Sequence, residues 1–249
     1  MHYVEAFTTA QENFLPLEEH PVPGAQRFQS MTVGGVHYHI NYLTPYWDPQ
    51  GGFQLDLTYI GGEVDLDRHR GLHQLIGQFA TVKSLPDLTS HLSEDSWPGR
   101  AAAAVLRWLA ATRLAVRAYG AGGLPSQGEY FTLGGDTLFR GFGLRDRQGS
   151  VVWVGSVEWR VPLARRLTWN CIDHVATTRN IYGALFYDAA DALVNGRSYG
   201  PVAHGLGAGL RVDVTWFGFV ERCELRFDVA KAVNVDTPVQ FWFGINMPF

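Results

Sequence analysis

The residues best suited to bind or transform something are few. His37 and His39 stand two positions apart, so on a strand both imidazoles fall on one face, where with a remote carboxylate they could ligate zinc. Two histidines sharing a strand face are far more often ordinary polar groups of a lumen or surface. Neither Ser156 nor Ser198 sits in a G-x-S-x-G elbow, and no HExxH, P-loop or CxxC occurs. Cys171 and Cys223 make neither a metal spacing nor a dense disulfide framework. The expectation is a protein that is not an enzyme, with no cofactor and no metal.

The elements that must carry these residues are constrained by composition. The 249 residues are 46% hydrophobic and 13% aromatic but only 18% charged, with 28 glycines and 12 prolines. That is too apolar for disorder, and it departs from soluble domains in the direction of a lipid-facing surface, although a soluble β-sandwich fits almost as well. A net charge of −4 with scattered basic residues gives no reason to expect nucleic acid, and none is expected as a partner. No apolar run approaches the roughly 18 to 20 residues of a spanning helix, so a membrane role must use strands. Residues 1–16 include Glu5, Gln11 and Glu12 and lack the basic start and apolar centre of a secretory signal, as expected of a fragment, a mis-set start or a mature form.

Strands are the dominant pattern. Leu206, Ala208, Leu210, Val212, Val214 and Trp216 alternate with Gly207, Gly209, Arg211, Asp213 and Thr215. Cys223, Leu225, Phe227 and Val229 likewise oppose Arg222, Glu224, Arg226 and Asp228. Phe53, Leu55, Leu57 and Tyr59 oppose Gln54, Asp56 and Thr58, and Val151, Trp153, Val157, Trp159 and Val161 oppose Ser156, Glu158 and Arg160. A period of two places the sets on opposite faces of a sheet. A soluble sandwich would bury the apolar set; a lipid-facing barrel would turn it outward. About ten strands are predicted, at 3–14, 28–44, 51–62, 72–84, 103–119, 150–163, 178–190, 203–217, 219–232 and 236–249. The 103–119 member is Ala-rich, which favours helix, and is assigned to strand on the alternation of Leu106, Trp108, Ala110, Leu114 and Val116. Long loops are expected at 85–100, 120–149, 164–177 and 191–202, against a short turn at 233–236.

The final strand alternates back from the chain end through Phe249, Met247, Ile245, Phe243 and Phe241. It resembles the C-terminal signal of bacterial outer-membrane barrels, a last strand closing on an aromatic residue that the assembly machinery recognises. The stretch Phe131 to Phe142, FTLGGDTLFRGF, followed by the strand ending at Leu163, resembles the bacterial surface antigen family. This is the superfamily of outer-membrane insertases and translocators that includes the barrel-assembly protein and two-partner secretion transporters. The resemblance implies that a long loop, here 120–149, folds into the lumen and presents an Arg-Gly-aromatic tip at Arg140, Gly141 and Phe142. The family's aromatic-x-Asp-x-Gly motif looks like Phe186 to Ala190, which makes Asp188 the lumen partner of Arg140, with Glu158 a second carboxylate on the polar parity of its strand. Ala190 departs from the family's Gly and puts close packing at that turn in question. The likeness is good from about residue 120 onward and weaker over 28–119.

The expectation is therefore an all-β, antiparallel transmembrane barrel occupying 1–249 as one domain without a periplasmic domain, either the C-terminal part of a family barrel or a compact variant. Residues 1–27 contribute only the 3–14 segment. The resemblance implies insertion or translocation of polypeptides at the bacterial outer membrane, with the lipid bilayer and the outer-membrane assembly machinery as partners. The rivals are a passive membrane anchor for a larger enzyme-bearing protein and a soluble β-sandwich or lipocalin-like binding protein.

Overall fold

The computed structural model describes residues 1–12, 30–44, 49–65, 69–86, 96–165, 167–171, 175–198, 200–216 and 220–246. In chain order these form β1 (His2–Glu12), β2 (Ser30–Asn41), β3 (Gly51–Asp65), β4 (His69–Ser84), α1 (Trp97–Ala110), β5 (Arg113–Leu124), β6 (Phe131–Leu133), β7 (Arg147–Gly149), β8 (Val151–Ala164), β9 (Trp169–Cys171), β10 (Ala176–Val194), β11 (Arg197–Ser198), β12 (Ala203–Trp216), β13 (Val220–Ala232) and β14 (Gln240–Asn246). Among the described residues the fold is all-β apart from α1. One antiparallel sheet runs β1-β2-β3-β4-β5-β8-β10-β12-β13-β14, with β9 and β11 added beside β10, while β6 and β7 pair separately. A single large sheet of this kind is not a two-sheet sandwich.

The sheet turns its charges in and its apolar side chains out. Leu185, Tyr187, Leu206, Leu210, Phe227 and Val229 are exposed, whereas Ser156, Glu158, Asp188, Arg211 and Asp228, on the opposite parity, are buried. What buries them is the segment 125–149. Arg117 on β5 donates to the Leu138 carbonyl at 3.0 Å, and the Trp242 indole on β14 donates to the Arg140 carbonyl at 2.8 Å. In a flat sheet β5 and β14, five places apart in the order, would lie about 24 Å from each other at roughly 4.8 Å per strand. Both reach carbonyls two residues apart, so the sheet curls around the segment. Tyr130 extends the contact to β2, β3 and β4, packing against Val33, Val64 and Leu72.

Three expectations need correction. Residues 103–119 are not one strand: Ser96 caps α1, its hydroxyl accepting the Gly99 N–H at 3.3 Å, and Pro98 occupies the first turn. Leu106, Trp108 and Ala110 belong to this helix, and β5 begins only at Arg113 and runs on to Leu124, into the expected loop. An Ala-rich stretch is weakly apolar on every side, so a period of two can be read into a helix. The last strand is shorter than 236–249: it begins at Gln240, and Met247 and Phe249 lie outside the described residues. Finally, among the described residues no pairing joins β1 to β14, so the sheet is open. Eight strands enclose an interior that side chains alone fill. Ten that must also surround a folded segment stop short of meeting.

Candidate functional site

Arg140 is the centre of the inward face. Its Nε and Nη2 donate to Asp188 Oδ2 and Oδ1 at 2.9 and 2.8 Å, a bidentate pair, and its Nη1 donates to Glu158 Oε2 at 2.8 Å. Nη2 also reaches Ser156 Oγ at 3.0 Å, and that hydroxyl donates to Asp188 Oδ1 at 2.6 Å. Asp228 Oδ2 lies 3.5 Å from Nη1, and the guanidinium carbon sits 3.3 Å from the centre of the Phe186 ring. Arg140 thus contacts both expected carboxylates together. Burial works against its charge, but the bonds and negative charge of Asp188 and Glu158 outweigh it and hold its pKa above the ordinary guanidinium range.

The strands place these groups by register. Asp188 stands opposite Ser156 of β8 and Gly205 of β12, and Asp228 stands opposite Gly209 of β12 and Trp242 of β14. β12 carries no inward side chain at Gly209, where an added Cβ would run into the Asp228 carboxylate. Arg211 then fills the space, donating through Nη2 to Glu158 Oε2 at 2.8 Å and through Nη1 to Asp228 Oδ1. Arg160 Nε adds a bond to Glu158 Oε1 at 2.7 Å, and Arg226 Nη2 one to Asp228 Oδ2 at 3.0 Å. Glu158 and Asp228 are thus each met by more than one guanidinium, and Asp188 by the bidentate Arg140 and the Ser156 hydroxyl, which their burial requires.

The rest of the tip is apolar and tightly fitted. Phe139 and Phe142 have no exposed surface and lie with ring centres 4.5 Å apart, seated on Val152, Val154, Ala190, Ala192, Ala203 and Ala232. Gly141 passes so close to β13 that an added Cβ would stand 2.9 Å from the Ala232 nitrogen, which explains the missing side chain between Arg140 and Phe142. Ala190 is not at a turn: it lies within β10, which runs on to Val194, and its small side chain forms part of the floor under the phenylalanines.

The C-terminal residues form a different feature. Phe241, Phe243 and Ile245 project outward, at 76%, 58% and 52% exposure, and the Phe243 ring meets Phe227 at 5.0 Å. They share nothing with the Arg140 cluster except the strand, whose inward Trp242 bonds the Arg140 carbonyl. Sequence reasoning did not select Arg211, Asp228 or Ser156 for this site. Their signal was available, since all three lie on the polar parity of their strands, but parity does not say which polar residues meet across the sheet.

Ser156 is held between the Arg140 guanidinium and the Asp188 carboxylate. What the arrangement can do is lock a segment against a curved sheet, with charge in a water-poor interior. No family model matches the chain, and no curated protein matches it.

Proposed function

We infer that this chain is an outer-membrane β-barrel domain of the surface-antigen type, serving protein insertion or translocation across the bacterial outer membrane. The observation that carries this reading is Arg140, at the tip of a segment folded onto the inward face and clamped to Asp188 and Glu158, as the family's Arg-Gly-aromatic loop would be. Sidedness supports it: apolar outward residues suit lipid, and buried polar ones suit a lumen. Length supports it as well, because β5, β8, β12 and β13 have 12, 14, 14 and 13 residues, and a tilted strand crosses a bilayer with about 9 to 11. In lipid the free edges of β1 and β14 must be paired, by closure, by a second copy or by further strands, because open edges are not tolerated there.

The outward Phe241, Phe243 and Ile245 suit the role of an assembly signal, presented on an edge strand that a machine could pair with. A passive anchor is the second reading, favoured by the packing of Phe139 and Phe142 against the inward face.

Expression behind a secretory signal, membrane separation and gel migration with and without boiling test the reading. A heat-modifiable band in the outer-membrane fraction supports it, and a detergent-free soluble product sinks it. Arg140→Ala is expected to impair polypeptide transport while leaving the strands formed. Transport by the wild-type chain absent altogether, in a properly inserted barrel, would favour the anchor.

A further inference from the structure

Away from Arg140, the first three strands bring together a second group of residues. His37 and His39 keep the parity of Val33, which packs under Tyr130, and Asp56 keeps that of Val64, so all three face inward. Asp56 stands directly opposite His39 in the β2–β3 register. Its Oδ1 lies 2.6 Å from His39 Nδ1 and 3.2 Å from His37 Nε2, and the three atoms fall within 4.8 Å of one another. Around a tetrahedral zinc ion, with bonds of about 2.0 to 2.2 Å, ligand atoms stand roughly 3.3 to 3.5 Å apart. Small rotations of the rings admit an ion in place of the shared hydrogen bonds.

The surroundings orient these groups. Gln54 Nε2 donates to Asp56 Oδ2 at 2.8 Å, fixing the carboxylate with Oδ1 toward the imidazoles. The Tyr3 ring of β1 stacks on His39 at 4.7 Å and meets His37 edge-on at 5.7 Å, setting both ring planes. Such outer partners position ligands in metal sites. Glu5 stands opposite His37 in the β1–β2 register, hence on the same face, with an exposed carboxylate within the neighbourhood of the group.

We propose that His37, His39 and Asp56 form a binding site for a divalent transition metal of the zinc class, completed by Glu5 or water. Imidazole nitrogens with one carboxylate select such ions over calcium or magnesium, which prefer all-oxygen sets. The bound ion ties β2 to β3, and through Glu5 it fastens β1, the strand at the free edge.

The test titrates the folded full chain in detergent micelles with zinc chloride and maps histidine modification by diethyl pyrocarbonate. One zinc per chain is expected, with modification of His37 and His39 slowed at least tenfold and that of the outward His73 and His204 unchanged. Equal rates at His37 and His39 with and without zinc overturn the site. His39→Ala and Asp56→Asn should each weaken zinc binding at least tenfold with the sheet's circular dichroism retained, while His73→Ala binds as wild type. A wild-type titration from either of the first two variants overturns the ligand set. Because the mapping uses the unmodified chain, it decides the matter even where a variant fails to fold.

Discussion

The two halves of the sheet carry the same inward polar pattern and treat it differently. Around Arg140 the inward Glu158, Asp188, Arg211 and Asp228 are sealed under the 134–145 segment, and Asp188 and Arg211 have no exposure at all. From β1 to β4 the inward groups His37, His39, Asp56 and Gln54 remain partly open to water. Strand pairing does not make the difference, since the ladder is continuous through both halves. The folded segment does. Where it excludes water, charges interact through a medium of lower effective dielectric and must be fully matched; where it is absent, the same residue types stay solvated and available to a ligand.

The largest test of this contrast is Arg140→Ala. It leaves Asp188, Glu158 and Asp228 buried with fewer cations and should cost about 3 to 5 kcal/mol. Faster proteolysis between residues 134 and 145 and a lower denaturant midpoint are the readouts, and an unchanged pair of values would break the comparison. Phe139→Ala, which opens a void over Ala203 and Ala232, is expected to cost roughly 3 kcal/mol by the same denaturation measurement. Glu158→Gln keeps the shape but weakens bonds to Arg140, Arg160 and Arg211, for about 1 to 3 kcal/mol. Salt should change that deficit little, because the site is shielded from ions; a deficit that vanishes in high salt would place Glu158 among solvated charges. At the small end, Asp56→Asn without metal should stay within about 1 kcal/mol, as expected of a partly exposed pair. A cost like that of Arg140→Ala would erase the distinction between the halves.

The strands were legible because their outward residues, such as Leu206, Leu210, Phe227 and Val229, repeat every second position. The sidedness was not, because alternation is identical whether the apolar set meets a core or lipid. Arg140, Asp188 and Glu158 could be named as partners through the motif resemblance, whereas Arg211 and Asp228 meet only through registers that alternation leaves open. One such register shifts between Val214 and Trp216, where β12 and β13 are irregularly paired. Asp56 lay on a polar parity from the start, but that it faces His39 is decided by the connection between β2 and β3. α1 was read as strand despite its helix-favouring alanines because alanines carry no sidedness against which to check the alternation, and the open edge was missed because a strand's pattern says nothing about how many neighbours it has.

The bond from Trp242 to the Arg140 carbonyl joins residues 102 apart in the chain, and that from Arg226 to the Asp136 carbonyl joins residues 90 apart. Neighbouring strands, by contrast, are mostly consecutive hairpin partners that can form as soon as both are synthesised. Contacts of the longer sequence separation form more slowly than pairings between neighbouring strands. Until β13 and β14 arrive, the tip can dock on β8 and β10 but lacks its final straps. Completion of the last strands is therefore the event that fastens the 134–145 segment and commits the buried cations.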